Sequence, residues 1–190
     1  MKQIILIDPG HGGKDPGAVA NGLHEADINL AVAGFLAIAL REAGAAPLLT
    51  RSRDTIMTLG RRASIEHALK PGLFISLHCN AATNPQAHGI EIYTSPGQTK
   101  ADAAGTAIFE AIREAFPQAN YRTDPSDGDP DKEERFFVLT MTLCPAVLLE
   151  MGFLTNATEA DWLSRRETQM QMAAAIAKGI LSWKETHPWI

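Results

Sequence analysis

The sequence predicts a single α/β domain over residues 1–190, a twisted and mostly parallel sheet of about six strands with helices on both faces. Three observations carry that reading. Short apolar runs bounded by proline or glycine recur along the chain, stretches of helical period lie between them, and the composition suits one packed core. With 190 residues, 45% apolar and 21% charged, the chain can bury a sizeable core and has neither the length for a second unit nor the polarity of a disordered one.

Gln3 to Ile7 is the first run and reads as a buried strand because nothing polar interrupts it. Ala26 to Ala43 repeats apolar residues at helical spacing, and Gly44 supplies the C-cap. Ala46 to Thr50 reads as a strand, Leu59 to Leu69 as a helix, Leu73 to Leu77 and Ile90 to Tyr93 as strands, and Ala101 to Phe116 as a helix. Asn120 to Arg135 carries six acidic residues, Pro125, Pro130 and almost nothing apolar, which predicts a long surface loop. Ala146 to Glu150 and Arg165 to Trp183 supply the last strand and helix. In such sheets the loops at the carboxyl ends of strands carry the site.

Charge and cysteine usage exclude several partners. The 17 basic and 22 acidic residues give a net charge of −5, and no basic stripe interleaved with aromatics is present to meet a phosphate backbone. Nucleic acid is therefore not expected. Cys79 and Cys144 lie in apolar stretches as small hydrophobes, too few for a disulfide framework. The longest apolar stretch, Ile28 to Leu40, is broken by Asn29 and Gly34 and falls short of the ~20 residues of a membrane span. Met1-Lys2-Gln3 runs straight into the first strand, which reads as synthesis without a signal peptide, with release at lysis, or as a processed or truncated form.

The chemistry gathers at strand ends. Asp8-Pro9-Gly10-His11-Gly12-Gly13 puts His11 on a sharp turn beyond the first strand, and Ser76-Leu77-His78-Cys79-Asn80 puts His78 at the end of the third. Glu25 opens the first long helix, where the macrodipole already favours a carboxylate, so helix capping would explain it equally well. Glu150 ends the apolar run of the last strand, where a carboxylate needs either a structural ion pair or a task. Together they offer two imidazoles and a carboxylate, the three-ligand zinc set that leaves a place for water, and a further carboxylate as general base.

The stretches Ile7-Asp8-Pro9-Gly10-His11-Gly12-Gly13, Asp15-Pro16-Gly17-Ala18, Glu25 before Asn29-Leu30, and Leu49-Thr50-Arg51 with Asp54, Leu59 and Arg62 go further. With Leu73 to Ala81, Gly89-Ile90-Glu91, and Pro145 to Glu150 followed by Gly152-Phe153-Leu154-Thr155-Asn156, they run along essentially the whole chain. In these stretches the sequence resembles the zinc N-acetylmuramoyl-L-alanine amidases of autolysin and endolysin type, the family called amidase type 3. The resemblance implies a phosphorylase/hydrolase-like sheet and one Zn2+ per chain held by His11, Glu25 and His78. It also implies Glu150 as catalytic residue and hydrolysis of the amide between N-acetylmuramic acid and L-alanine in peptidoglycan. Action on the cell wall or in the periplasm follows from the same likeness, and a monomer is expected. Glu66-His67 and Cys79 depart from the family pattern without touching the expected ligands. Where some relatives carry an inserted helix over the zinc, Thr94 to Arg135 has room for one helix and a polar loop, which predicts an uncovered site.

Other readings fare worse. Gly10-His11-Gly12-Gly13-Lys14 is no phosphate loop, because Asp15 follows the lysine. Asp127-Gly128-Asp129-Pro130-Asp131 imitates a calcium loop but has Lys132 where glycine is demanded, so Asp124 to Glu134 reads as a solvated acidic loop. Cys79 neighbours His78 but should point to the opposite face of the strand. His24, His67, His88 and His187 read as surface residues, and Ser76 lacks a nucleophile elbow. Glu91 is the next carboxylate to consider as base. A zinc carboxypeptidase-like peptidase would use the same residues but needs an arginine for a substrate carboxylate, which the sequence does not assign. A non-catalytic wall-binding module would not need all four.

Overall fold

The computed structural model describes residues 4–187, so Gln3, where the first run begins, and the Met1-Lys2 start lie outside the described residues. Six strands form one sheet there: β1 (Ile4–Pro9), β4 (Ala46–Leu49), β5 (Leu73–Asn80), β6 (Glu91–Thr94), β7 (Lys132–Glu133) and β8 (Ala146–Phe153). Their order is β4-β1-β5-β8-β6-β7. β4, β1, β5 and β8 run parallel, β6 runs antiparallel to β8, and β7 is parallel to β6. A two-residue hairpin, β2 (Val19–Ala20) and β3 (Leu23–His24), stands apart from the sheet.

Strand alternation decides which helices cover which face. Ile5, Ile7, Ile75, Leu77, Val147 and Leu149 pack with α1 (Glu25–Glu42), α3 (Lys100–Ala115) and α6 (Arg166–Thr186) in the larger core. Leu6, Phe74, Ala146 and Leu148 face the other way onto Val138 and Leu139 of α4 (Phe137–Thr140) and the flank of α2 (Leu59–Leu69). Each fully buried Ile, Leu or Phe contributes roughly 1.5–3 kcal/mol. The polar members of that second face, Asp8, Ser76, His78 and Glu150, are thereby gathered at the carboxyl edge of the sheet.

Helix ends follow local chemistry. α1 closes with Gly44 at φ 79, its amide donating to Arg41 O at 2.9 Å. α3 starts one residue earlier than its apolar pattern suggests, because Thr99 and Asp102 form a capping box. α5 (Ala157–Ser164), too short for its period to be read, is capped by Asn156, which accepts from the amides of Thr158 and Glu159.

The acidic stretch is not simply solvated. It forms a 3-10 turn at Pro125–Asp127 and the edge strand β7, and Asp131 is buried beneath α3, accepting from the Thr94 hydroxyl at 2.6 Å. α3 lies on the face away from the histidines, which keep 27% and 19% side-chain exposure at His11 and His78. Among the described residues no helix is long and apolar enough to cross a membrane.

Candidate active site

The site is built on the loop that leaves β1. His11 has a left-handed backbone, φ 59, which a side-chain-bearing residue adopts only when its surroundings impose it. Two buried arginines do so. Arg51 donates to Pro9 O at 3.0 Å, Gly10 O at 2.8 Å and Ala26 O at 2.9 Å. Arg62 donates to Pro9 O at 2.8 Å and His11 O at 2.9 Å and is ion-paired with Asp8. Asp8, fully buried, also accepts from Thr50 Oγ1 at 2.6 Å and Ser76 Oγ at 2.8 Å. Ser76 is thus a structural donor. The loop is closed by Gly13, whose amide donates to Asp54 Oδ1 at 2.6 Å.

His11, Glu25 and His78 converge there, with one candidate ligand atom from each lying within 4.8 Å of the others. Glu25 Oε1 stands 3.2 Å from His11 Nε2 and 2.8 Å from His78 Nδ1, and the rings meet edge to face at 5.0 Å. Glu25 is fixed as the first residue of α1: Oε2 accepts from Ala18 N at 2.9 Å, and Oε1 from Cys79 N at 3.1 Å and Asn29 Nδ2 at 3.2 Å. Burial works to raise its pKa, but the two imidazoles hold it well below the usual carboxylate range. The fit around the rings needs glycine. A Cβ on Gly10 would stand 2.3 Å from the His78 ring, and one on Gly17 would stand 2.5 Å from Glu25 Oε2.

Asp15 completes the His11 side. Its Oδ2 lies 2.9 Å from His11 Nδ1, so a proton on Nδ1 leaves the Nε2 lone pair facing Glu25. Glu150 pairs in register with His78 across the β5–β8 ladder, on the same face. Its Oε2 is sealed from solvent with no hydrogen-bond partner. Burial first, opposed by His78 and reinforced by Glu25 and Glu91, pushes the Glu150 carboxyl up to about 7.

A cleft of about 510 Å³ opens over these groups, lined also by Ile56, Met57, Leu59, Phe136 and Phe137. A family model described as N-acetylmuramoyl-L-alanine amidase matches residues 5–182 of the chain. The chain belongs to that family. It is a peptidoglycan amidase by sequence, and its fold agrees. It is 38% identical to the YqiI protein of Bacillus subtilis (strain 168), over 95% of this chain and 84% of that protein. To the N-acetylmuramoyl-L-alanine amidase LytC of the same strain it is 34% identical over 95% of its own length, spanning 35% of LytC. The solved N-acetylmuramoyl-L-alanine amidase AmiC2 of Nostoc punctiforme superimposes with a TM-score of 0.89 at 33% identity, covering 97% of this chain and 98% of that one.

The amidase thus brings together all four residues singled out in its sequence. Cys79 points away, buried in the larger core with its thiol 3.6 Å from Asn29 Oδ1, and burial followed by the Glu25 charge pushes that thiol well up. Glu91 is spoken for: Oε1 accepts from Arg122 and, at 3.1 Å, from Lys132, and Oε2 accepts from Asn80 at 2.7 Å and Tyr93 at 2.9 Å. Burial would raise its pKa, yet these donors keep it low, which makes it a poor base. Sequence reasoning gave no role to Asp15, Arg51 or Arg62, although all three sit in the stretches that carry the family likeness. A buried arginine that serves backbone carbonyls has no sequence signature apart from its neighbours.

Proposed function

We propose that the amidase, one catalytic domain over residues 1–190, is a zinc hydrolase acting as a monomer on the wall. In this reading His11, Glu25 and His78 hold one Zn2+ per chain and Glu150 is the general base for the muramyl-L-alanine amide. The observation that carries it is the gathering of two imidazoles and a carboxylate within 4.8 Å, with an unbonded Glu150 oxygen on the next strand. The donors fit zinc: they are its usual catalytic ligands, and Asp15 stands behind His11 as an orienting carboxylate does. When bound, zinc polarises the scissile carbonyl and lowers the pKa of a water toward ~7.

The remaining chemistry falls to Glu150. Glu150 lines the cleft, and its carboxylate takes a proton from the attacking water as the new bond to the carbonyl carbon forms. The protonated carboxyl, a far stronger acid than the ammonium that results, then passes the proton to the alanine nitrogen as the C–N bond breaks. Water is consumed, and a lactyl carboxylate and an alanine amine are released.

Product analysis on purified peptidoglycan tests this. New alanine amino termini without new reducing ends, together with loss of activity on chelation and its return with zinc, are expected. Reducing ends that rise in step with lysis would overturn the bond assignment, and full activity in a metal-free sample would overturn zinc.

A further inference from the structure

Resting on that amidase reading, we propose that Arg122, supported by Lys132, is a subsite for a carboxylate carried by the stem peptide on the leaving side of the scissile amide. Glu91 stands opposite Glu150 in the β6–β8 ladder, so both side chains leave the same face from backbones only ~5 Å apart. Arg122 Nε and Lys132 Nζ converge on Glu91 Oε1. Two cations therefore sit one strand beyond the base, within about 10 Å of it, on the side away from His11.

Arg122 is held ready for a ligand. Its amide donates to Ile90 O at 3.0 Å, which ties its backbone to β6. Its aliphatic stem runs across Gly89, where a Cβ would stand 2.9 Å from Arg122 Cγ and where φ is +119. Glu159 fixes that glycine by accepting from its amide at 2.8 Å. The guanidinium carbon lies 5.4 Å from the centre of the Phe153 ring. Only Nε is engaged by Glu91. The terminal nitrogens make no hydrogen bond among the described residues, and 47% of the side chain is exposed. A guanidinium whose plane is fixed and whose outer edge is open matches a carboxylate bidentately, with little ordering cost left to meet.

The attraction is local to the open edge of the guanidinium: the two cations ion-pair with Glu91, and Glu159, which also acts on Arg122, is taken up by the amides of Gly89 and Phe153. The cleft over the base is lined by apolar Ile56, Met57 and Leu59 beside its polar groups. An extended peptide advances at most ~3.6 Å per residue. A carboxylate on the residue after the alanine, or on the next one, falls within reach of Arg122 once the amide lies over Glu150. The same placement gives the acidic stretch a purpose, since Arg122 precedes it, and β7, which contains Lys132, anchors its far end to β6.

The test is kcat/KM on synthetic muramyl peptides. Two dipeptides differ only in whether the second residue's carboxylate is free or amidated, and a tripeptide has that carboxylate amidated and a free one on the third residue. The amidase should favour a free carboxylate by about tenfold or more, chiefly through KM. In Arg122→Gln that ratio should fall to near one, with Arg122→Lys recovering part of it. A preference seen only with the third-residue carboxylate supports the same subsite one residue further along. Indifference to both carboxylates, a preference that survives Arg122→Gln, or an equal fall on all three peptides would each overturn the subsite while the amidase reading stands. Failure of the unaltered chain to cleave any of them would overturn that reading instead.

Discussion

Glu91 faces Glu150 directly across the β6–β8 ladder, and the two carboxylates have opposite surroundings. Glu91 accepts from four donors, whereas Glu150 keeps one sealed oxygen with none. Neighbouring groups pushed apart in this way take different roles. Glu150→Gln, nearly isosteric, should retain zinc and melting temperature and lose about 10²–10⁴ in kcat. Glu91→Gln should lose about 2 kcal/mol of stability by stranding its cations, with a much smaller loss in the chemical step. Metal content, melting curves and kcat for both variants decide; near-full activity in Glu150→Gln would remove it as the base.

Activity should follow the ionisation of Glu150. A base must be unprotonated, so kcat/KM should fall about tenfold per pH unit on the acid side of a limb set by that group. In the metal-free chain its carboxyl lies at about 7, and the charge of a bound zinc draws it lower. The limb is therefore expected at or below pH 7, and a pH profile with a limb well above that value would contradict it.

Zinc affinity should rise with pH. The hydrogen bond that the His11 ring donates to Glu25, against burial and helped by Asp15, raises His11 from 6.5 to about 9 in the metal-free chain. Zinc needs the neutral ring, so binding must expel that proton, and affinity should climb roughly tenfold per unit up to about pH 9. In the metal-free chain the same shift adds stability that is complete below pH 6.5 and is lost as pH passes through about 9. Chelator competition across this range checks the first statement; a flat profile would refute it. The same assay should show about 10- to 100-fold weaker binding for Asp15→Ala and loss of zinc for His11→Ala or His78→Ala.

Asp131→Asn should stabilise the protein at neutral pH. Burial first, then Asp129, pushes the Asp131 carboxyl up to about 8, and its Oδ1 has no hydrogen-bond partner. A folded-state pKa above the unfolded one means that stability falls as pH rises from about 4 to about 8. The variant should therefore melt about 2–4 °C higher at pH 8, with little gain at pH 4. An unchanged or lower melting temperature at pH 8 would count against this account.

Much of the site was legible because chemistry and strand ends coincide. His11, His78 and Glu150 close apolar runs that can only be buried strands, and Glu25 opens an amphipathic helix. The antiparallel sense of β6 was not legible, since an apolar run has no direction until its neighbours are known. Nor was the β2–β3 hairpin, although Asn21-Gly22 with φ 51 and 75 is the turn such a pair favours. Two-residue strands are too short for alternation to show. Asp131 failed as a surface residue because composition reports the average of a loop, and Thr94 and α3 select one member to bury.

Strand β8 is inserted between β5 and β6, although every other strand precedes it in the sequence. During synthesis the sheet therefore has a gap at its centre until the segment after Pro145 leaves the ribosome, and that segment brings the base. His11, Glu25 and His78 emerge much earlier. A chain that stops before β8 can own all three proposed metal-binding side chains and still lack the proposed base, so hydrolytic competence waits for this one strand.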